Sequence, residues 1–266
     1  MSHNLLEVKD LNCRFEIERN LFSQNKYLHV LKNINFKLKH GSTLGIVGES
    51  GCGKSTLCRT ILSLNIKERG NIIWFNKDID EFSKKEFKNF RKKVQIIFQD
   101  PYGSLNPRMT IGNIISEPLE IYKKDNDKKS KTLKVLDIMK KVGLSDLLFN
   151  RFPHELSGGQ CQRVGIARSI INEPDVLICD EPVSSLDLSV QSQILDLLKS
   201  LKNKLNITMI FVSHDLAVVK SISDEVMVLK QGEIVEMNSA EQIFNKPNDE
   251  YTKKLISSVP IINNIG

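Results

Sequence analysis

The sequence predicts an α/β fold with a mostly parallel sheet. Short apolar segments rich in β-branched residues are separated by turn residues, and helical patterns alternate with most of them from Thr43 onward. From Val190 to Leu205 the apolar residues recur at the spacing of a single helix face. Such alternation of strands and helices is typical of parallel α/β sheets.

Eight segments have the composition of strands, namely residues 5–8, 30–38, 43–47, 71–75, 94–98, 176–179, 207–212 and 225–229. The alternation stops between Pro101 and Phe152, where residues 111–119 and 133–142 have helical spacing and no strand is evident. We therefore predict a core formed by residues 1–100 and 153–237, a helical insertion at 101–152, and an appended tail at 238–266.

Length and hydropathy limit the class of protein. A chain of 266 residues allows one large domain or two unequal ones. No apolar run approaches the roughly 18 residues that a membrane-spanning helix needs. The first residues lack a basic segment followed by an apolar one, so we expect no secretory signal and a cytosolic chain.

The net charge of +6 is compatible with a nucleic acid or an anionic membrane as partner. The lysines are scattered, however, and the run from Lys123 to Lys131 also contains two aspartates. This distribution favours a solvated surface. The five cysteines form no CxxC pair and no metal-ligand spacing, which is typical of free thiols in a reducing compartment.

A glycine-rich segment follows the predicted strand 43–47 and leads into a helical pattern at 56–64. It satisfies G-x-x-x-x-G-K-[ST] with the residues Gly48, Glu49, Ser50, Gly51, Cys52, Gly53, Lys54, Ser55 and Thr56. Glycines let backbone N–H groups turn inward around phosphates, Lys54 supplies a positive charge for the β- and γ-phosphates, and Ser55 offers a hydroxyl to Mg²⁺. This P-loop predicts nucleotide binding but does not separate a kinase, a GTPase and a motor.

Further motifs follow downstream in a fixed order. Gln99 comes after the strand 94–98, and His214 comes after the strand 207–212. Between them lie a Leu-Ser-Gly-Gly-Gln segment, a strand ending in two acids and a Ser-Ser-Leu-Asp segment, which contain Leu156, Ser157, Gly158, Gly159, Gln160, Asp180, Glu181 and Asp187. In this order the set resembles the ATP-binding cassette (ABC) ATPases, and the resemblance covers nearly the whole chain.

The resemblance implies an α/β fold with a P-loop NTPase core, an N-terminal antiparallel β subdomain and a helical insertion subdomain. It also implies roles for the acids. Asp180 would hold Mg²⁺ together with Ser55 and Gln99, and Gln99 would link this site to the insertion. Glu181 would be the general base for the attacking water, and His214 would contact the γ-phosphate.

In the family that this chain resembles, the Leu-Ser-Gly-Gly-Gln segment is the signature loop. It binds the γ-phosphate held by the P-loop of a partner subunit, so that ATP lies between two cassettes and dimerisation depends on ATP. A helix N-terminus such as the one predicted at Ser157 suits an anion. Asp187 is expected at the dimer interface.

The aromatic residue that stacks on adenine normally follows the first strand in this family. Phe15 occupies this place by alignment with the family pattern, and Tyr27 is close enough in sequence to compete. The family usually has Tyr here, but stacking survives a Phe. We predict that Phe15 stacks on adenine, with Tyr27 and a plain core role for Phe15 as the alternatives.

The segment 100–108, Asp-Pro-Tyr-Gly-Ser-Leu-Asn-Pro-Arg, resembles a membrane-facing loop in the ATPases of dipeptide, oligopeptide and nickel importers. The segment 181–187 and the tail 245–260 also resemble those ATPases, although Asp249 and Glu250 replace the His-Pro of that family's tail. Some such ATPases carry an iron–sulfur cluster on a cysteine-rich tail. No cysteine follows Cys179, so we expect no cluster.

The resemblance implies an ATPase that drives import of dipeptides or oligopeptides, with nickel as the alternative cargo. Expected partners are a second ABC ATPase, as a heterodimer before a homodimer, two membrane permease subunits and an extracytoplasmic solute-binding protein. The chain would then lie peripherally on the cytoplasmic face of the bacterial inner (plasma) membrane.

Two other classes fit the residues less well. A soluble cassette protein acting on nucleic acid or ribosomes is supported only by the positive charge. It is opposed by the single cassette and by the short segment between Ser55 and Ser157, which leaves no room for a long coiled-coil arm. A small-molecule P-loop kinase explains neither the signature loop nor His214. We expect no nucleic-acid partner.

Overall fold

A computed structural model describes residues 4–18, 26–122 and 127–258, without the side chains of residues 17, 18 and 26. Residues 123–126 of the lysine-rich run and residues 259–260 of the tail motif lie outside this part. In chain order the α-helices and strands are β1 (Asn4–Glu18), β2 (Lys26–Lys39), β3 (Thr43–Val47), α1 (Lys54–Ile61), β4 (Arg69–Trp74), β5 (Lys77–Asp78), α2 (Lys84–Lys93), β6 (Val94–Ile97), α3 (Ile111–Ile121), α4 (Lys128–Lys141), α5 (Gly158–Ile170), β7 (Val176–Asp180), α6 (Leu188–Leu205), β8 (Thr208–Val212), α7 (Leu216–Ile222), β9 (Glu225–Lys230), β10 (Glu233–Ser239), α8 (Ala240–Asn245) and α9 (Glu250–Ser257).

The chain divides into two compact units, which are described separately. The first unit comprises residues 1–83 and 210–266, and the second comprises residues 84–209. The division falls within β8. No helix in the described part of the chain is both long and apolar enough to span a bilayer.

The first unit contains an antiparallel sheet in the order β2-β1-β4-β5. Its inner face buries the apolar side chains of alternate positions, as the period of a strand requires. These buried residues include Leu6, Val8, Leu11, Leu31, Ile34, Phe36, Leu38, Ile72 and Trp74. The β1–β2 pairing contains several bulges, which let two long strands curve together.

The first unit also contains the pairs β3–β9, which is parallel, and β9–β10, which is antiparallel. Leu44 lies opposite Glu225, and all five residues of β3 are buried. A strand buried on both faces has a mostly apolar sequence, as β3 does from Leu44 to Val47. The helix α1 is the next element after β3, and the short segment 48–53 that joins them turns at the carboxyl end of this strand.

The second unit pairs β6 with β7 in parallel, with Val94 opposite Val176. The helices α3, α4 and α5 pack against one another. Their buried apolar residues form a core that includes Ile111, Ile114, Ile115, Leu119, Val135, Met139, Val164 and Ile166. Between residues 101 and 152 the described residues contain helices and turns and no strand. The division into core, insertion and tail remains a prediction.

Several predicted boundaries were wrong. The strands β1 and β2 are longer than residues 5–8 and 30–38, because the antiparallel pairing continues past the apolar residues. The strand β10 was missed, since its residues are mostly half-buried or exposed and lack clear alternation. The strand β10 ends at Ser239, inside the predicted tail, and α8 and α9 follow it.

Candidate functional site

The P-loop (residues 48–56) needs glycine at two positions of close approach. Gly48 has φ 151° and Gly53 has φ 110°, backbone conformations that L-residues rarely adopt. A Cβ atom on Gly48 would lie 2.1 Å from the carbonyl oxygen of Leu229, and one on Gly53 would lie 2.9 Å from that of Val30. Gly51, with φ 78°, has nothing within 4 Å of its Cβ position. The loop is therefore packed against backbone at both ends and open in the middle.

Lys54 is the first residue of α1 and is only 5% exposed. Its Nζ atom donates to the carbonyl oxygens of Gly48 (2.7 Å) and Glu49 (2.9 Å), so the loop curls around the ammonium group. The positive charge of Lys54 and the partial positive charge at the N-terminal end of α1 therefore lie close together, an arrangement that favours anion binding. The residues present fit the phosphates of a nucleoside triphosphate.

Cys52 lies inside the loop and is buried. Its carbonyl oxygen accepts from the backbone N–H of Gly232 at 2.9 Å. Burial raises the pKa of its thiol, and the nearby Lys54 charge opposes that shift. A thiol held protonated is a weak nucleophile. We assign Cys52 to the packing of the loop.

His214 follows β8 in the same unit as the P-loop. The neighbouring Ser213 donates its backbone N–H to the carbonyl oxygen of Ile46 at 3.3 Å. Because Ile46 lies two residues before Gly48, His214 emerges at the strand end where the P-loop begins. Its side chain is exposed, and Asp215 caps the helix α7 that follows.

Phe15 and Tyr27 lie on neighbouring strands, with Phe15 opposite Leu28 and Tyr27 opposite Glu16. Both rings are partly exposed, at 41% and 43%. The guanidinium of Arg14 lies 4.3 Å from the centre of the Tyr27 ring, so one face of that ring already has a cationic partner. This contact favours Phe15 for stacking on adenine, which stays a prediction.

In the second unit, three of the predicted residues emerge at one edge of the β6–β7 pair. Ile97 lies opposite Cys179 in the parallel register. Gln99 follows Ile97 by two residues, while Asp180 and Glu181 directly follow Cys179. The carboxyl ends of parallel strands meet at the same edge, and ligands bind outside that edge in α/β sheets. Asp180 is buried, with 3% exposure, and Gln99 is exposed.

Glu181 has a left-handed backbone, with φ 51°. Its carbonyl oxygen accepts from the Ser184 hydroxyl at 3.2 Å and from the Ser184 backbone N–H at 3.4 Å. A non-glycine residue in this region costs on the order of 1–3 kcal/mol, and such residues cluster at functional sites. The turn after β7 therefore holds the Glu181 backbone in a strained conformation that the surrounding structure maintains.

The signature loop (residues 156–160) forms the N-terminal end of α5. Ser157 and Gln160 make a capping box: the Ser157 hydroxyl accepts from the Gln160 N–H, and the Gln160 side chain accepts from the Ser157 N–H. A Cβ atom on Gly159 would lie 2.6 Å from Val190 in α6, so α5 and α6 approach closely here. The exposed Ser157 and the free end of the helix dipole can accept an anion.

Asp187 is the N-cap residue of α6. Its carboxylate accepts from the Ser189 hydroxyl at 2.7 Å and from the Val190 N–H at 2.9 Å. The hydrogen bond from Ser189 is the main reason that the pKa of Asp187 is lowered. Asp187 and the signature loop are brought together, because Leu186 lies 3.6 Å from the Cβ position of Gly158.

Sequence reasoning missed two residues that fix the loop 100–108. The Tyr102 hydroxyl donates to the carbonyl oxygen of Leu156 at 3.0 Å, directly before the signature helix. Arg168 of α5 donates to the carbonyl oxygen of Ser104 at 2.8 Å. Burial lowers the pKa of Arg168, and Glu117 opposes that shift. The sequence placed Tyr102 in the loop, but neither contact was predictable, since partners more than 50 residues apart leave no local signal.

The predicted magnesium ligands are distributed over both units. Ser55 belongs to the first, whereas Gln99 and Asp180 belong to the second. Within residues 4–18, 26–122 and 127–258, no group of three His, Cys, Asp or Glu side chains is placed to hold a metal ion. A hydroxyl, an amide and one carboxylate are oxygen donors of the kind that Mg²⁺ prefers when phosphates complete its shell.

Comparison with known sequences gives long matches. The profile of the ABC transporter family matches residues 31–184. The oligopeptide transport ATP-binding protein OppF of Haemophilus influenzae is 50% identical over 260 residues, which are 97% of this chain and 78% of that protein. The dipeptide transport ATP-binding protein DppF of Escherichia coli is 43% identical over 97% of this chain and 77% of its own length.

Solved structures match over both units. A dimeric post-hydrolysis state of the ATP-binding cassette MJ0796, bound to ADP and Pi, has a TM-score of 0.78 at 28% identity and covers 88% of this chain and 98% of that one. The structure of cbiO1 from Clostridium perfringens, part of the ABC transporter complex cbiONQ, has a TM-score of 0.76 at 30% identity, covering 97% and 96%. The predicted α/β cassette fold is confirmed, and the chain belongs to the ABC transporter family.

Proposed function

We propose that this chain is the ATP-hydrolysing, energy-coupling subunit of an importer for oligopeptides or dipeptides. The observation that carries the proposal is 50% identity over 97% of the chain to an oligopeptide transport ATP-binding protein. A dipeptide transport ATP-binding protein matches over the same span. The P-loop closed around Lys54 supplies the phosphate site that such a subunit requires.

Within the proposed site, the P-loop holds the β- and γ-phosphates through its backbone N–H groups and Lys54. Ser55, Gln99 and Asp180 are the residues that would hold Mg²⁺, which would neutralise negative charge on the phosphates. Glu181 orients or deprotonates the attacking water, and His214 contacts the γ-phosphate. Phe15 stacks on adenine.

The signature loop acts on the ATP of a second cassette, and Asp187 lies at the interface between the two. A second ABC ATPase chain, two membrane permease subunits and an extracytoplasmic solute-binding protein complete the proposed assembly, with this chain peripheral on the cytoplasmic face of the membrane. The partner ATPase is a different chain, so the pair is a heterodimer. The dimeric MJ0796 cassette bound to ADP and Pi supports a two-cassette arrangement.

The test is to purify the chain with its permease subunits and partner ATPase, reconstitute the complex in vesicles, and measure ATPase activity with the binding protein. Peptide-loaded binding protein is expected to stimulate hydrolysis and chelated nickel is not. Glu181→Gln is expected to bind ATP and accumulate an ATP-bound dimer with little turnover. Stimulation by nickel alone would contradict the cargo, and normal turnover in Glu181→Gln would contradict the role of Glu181 as base.

A further inference from the structure

The P-loop is supported along one side by the C-terminal part of the first unit. Gly48 packs against the carbonyl of Leu229 in β9, and Cys52 accepts from Gly232 in the β9–β10 turn. A third contact comes from α9, where the Tyr251 hydroxyl accepts from the backbone N–H of Glu49 at 3.3 Å. Three successive segments of the chain therefore contact the loop, and the last belongs to the tail.

The start of α9 is firmly anchored. Asp249 caps the helix by accepting from the N–H groups of Tyr251 (2.8 Å) and Thr252 (3.3 Å). The Glu236 carboxylate in β10 accepts from the N–H groups of Asn248 (2.9 Å) and Asp249 (3.1 Å). Burial raises the pKa of Glu236, but the hydrogen bonds that its carboxylate accepts, with those from Asn248 and Asp249 the strongest, leave the pKa lowered overall. Thr252 is completely buried, so the first turn of α9 is a fixed base for the Tyr251 side chain.

The Tyr251 ring is held as well. The ammonium of Lys230 lies 4.7 Å from the centre of the ring, a cation–π geometry. Burial is the main cause that raises the pKa of the Tyr251 hydroxyl. The group therefore stays a neutral phenol at physiological pH, with an oxygen that accepts the Glu49 N–H.

The contact matters because of the peptide group to which this N–H belongs. The peptide between Gly48 and Glu49 offers its carbonyl oxygen to Lys54 at 2.7 Å and its N–H to Tyr251 on the opposite side. A peptide group is planar, so its two ends rotate together. Fixing the N–H therefore fixes the carbonyl that positions the Lys54 ammonium.

We propose that Tyr251 is a positioning residue for the P-loop, through which α9 sets the affinity for ATP. The proposal rests on the proposed function of residues 48–56 as the phosphate loop. It gives a role to the tail residue Tyr251, and to the buried Thr252 that anchors the same helix turn. It also accounts for Asp249, which departs from the family's tail pattern and serves as the helix cap.

The test uses the full chain and titrates a fluorescent ATP analogue with Mg²⁺, alongside steady-state KM and kcat. Tyr251→Phe removes the acceptor and keeps the ring beside Lys230. We expect Kd and KM for ATP to rise by about 2- to 10-fold, the range of one net hydrogen bond, with kcat changed less than about twofold. Hydrogen exchange at the Glu49 amide is expected to be faster than in the unmodified chain.

Tyr122→Phe is the matched control, since that tyrosine is half-buried and has the Lys88 ammonium 5.9 Å from its ring, in the second unit. Its ATP affinity is expected to be unchanged. Unchanged affinity and unchanged exchange in Tyr251→Phe would overturn the inference, as would an equal loss of affinity in Tyr122→Phe. Lys54→Ala in the same titration separates the two claims: if it abolishes binding while Tyr251→Phe has no effect, only the inference fails. If Lys54→Ala binds ATP normally, the proposed function of the loop fails.

Discussion

Gly48→Ala tests the closest backbone approach in the P-loop. The new Cβ atom would lie 2.1 Å from the carbonyl oxygen of Leu229 and 2.8 Å from the Sγ atom of Cys52. Contacts below 3.0 Å do not occur for real Cβ atoms, so the loop or β9 must move by roughly 1 Å. The φ of 151° adds backbone strain, because L-residues rarely adopt it.

The magnitude follows from these two effects. A strained φ costs about 1–3 kcal/mol. Forcing a methyl group into a packed site costs a further 1–3 kcal/mol, roughly. At roughly 2–4 °C per kcal/mol for a chain of this size, the melting midpoint is expected to fall by at least about 5 °C. ATP affinity is expected to fall as well, since the Gly48 carbonyl that holds Lys54 is displaced.

Two other glycines provide controls for a thermal melt followed by circular dichroism. Gly51→Ala has a left-handed φ but open space around its Cβ, so only the backbone cost of roughly 1–2 kcal/mol applies. Gly165→Ala lies within α5 with nothing within 4 Å, and it should stabilise the helix by roughly 0.5–1 kcal/mol. If Gly48→Ala and Gly51→Ala had the same melting midpoint, the close approach of the new Cβ atom to Leu229 would cost no stability and the reasoning would be refuted.

Two further substitutions test other contacts. Tyr102→Phe removes the hydroxyl that donates to the Leu156 carbonyl before the signature helix. We expect kcat of the two-ATPase complex to fall by about 2- to 10-fold, the range of one net hydrogen bond. The Kd of the single chain for ATP should be unchanged. Glu236→Gln tests a pH dependence. Because the folded pKa of Glu236 is lowered from 4.5, its stabilisation is present above that value and is lost as the pH falls through the folded pKa. At pH 7 the melting midpoint of the wild type should be higher than that of Glu236→Gln, and the difference should disappear below about pH 4.5. A difference that does not change with pH would contradict the stabilising role of the ionised Glu236 carboxylate.

The P-loop and the signature loop were predictable because each function needs particular residue types at fixed spacing. Glycines at 48 and 53, with Lys54 as the first residue of the following helix, leave a sequence signal that does not depend on distant contacts. The family and the cassette fold inferred from these motifs are confirmed by the matches along the chain. The individual site residues remain predictions.

Other features were not predictable because tertiary contacts decide them. The strand β10 has few apolar residues, and it forms because Gln231 and Gly232, with φ of 47° and 83°, make a tight turn that returns the chain along β9. The helix α9 likewise depends on Glu236, which binds the N–H groups of residues 248 and 249. Neither pairing has a local sequence pattern.

Glu181, a proposed catalytic residue, has a positive φ that residues other than glycine rarely adopt. Its φ of 51° is unfavourable for a glutamate, and the following Pro182 restricts it further. Glycine tolerates this conformation and alanine does not, so Glu181→Gly and Glu181→Ala remove the same carboxylate but differ in strain. Glu181→Gly is therefore expected to have a free energy of unfolding about 1 kcal/mol above that of Glu181→Ala, and so a higher melting midpoint, while both lose ATP turnover. Equal melting midpoints would mean that the turn after β7 is unstrained, and retained turnover would mean that another group activates the water.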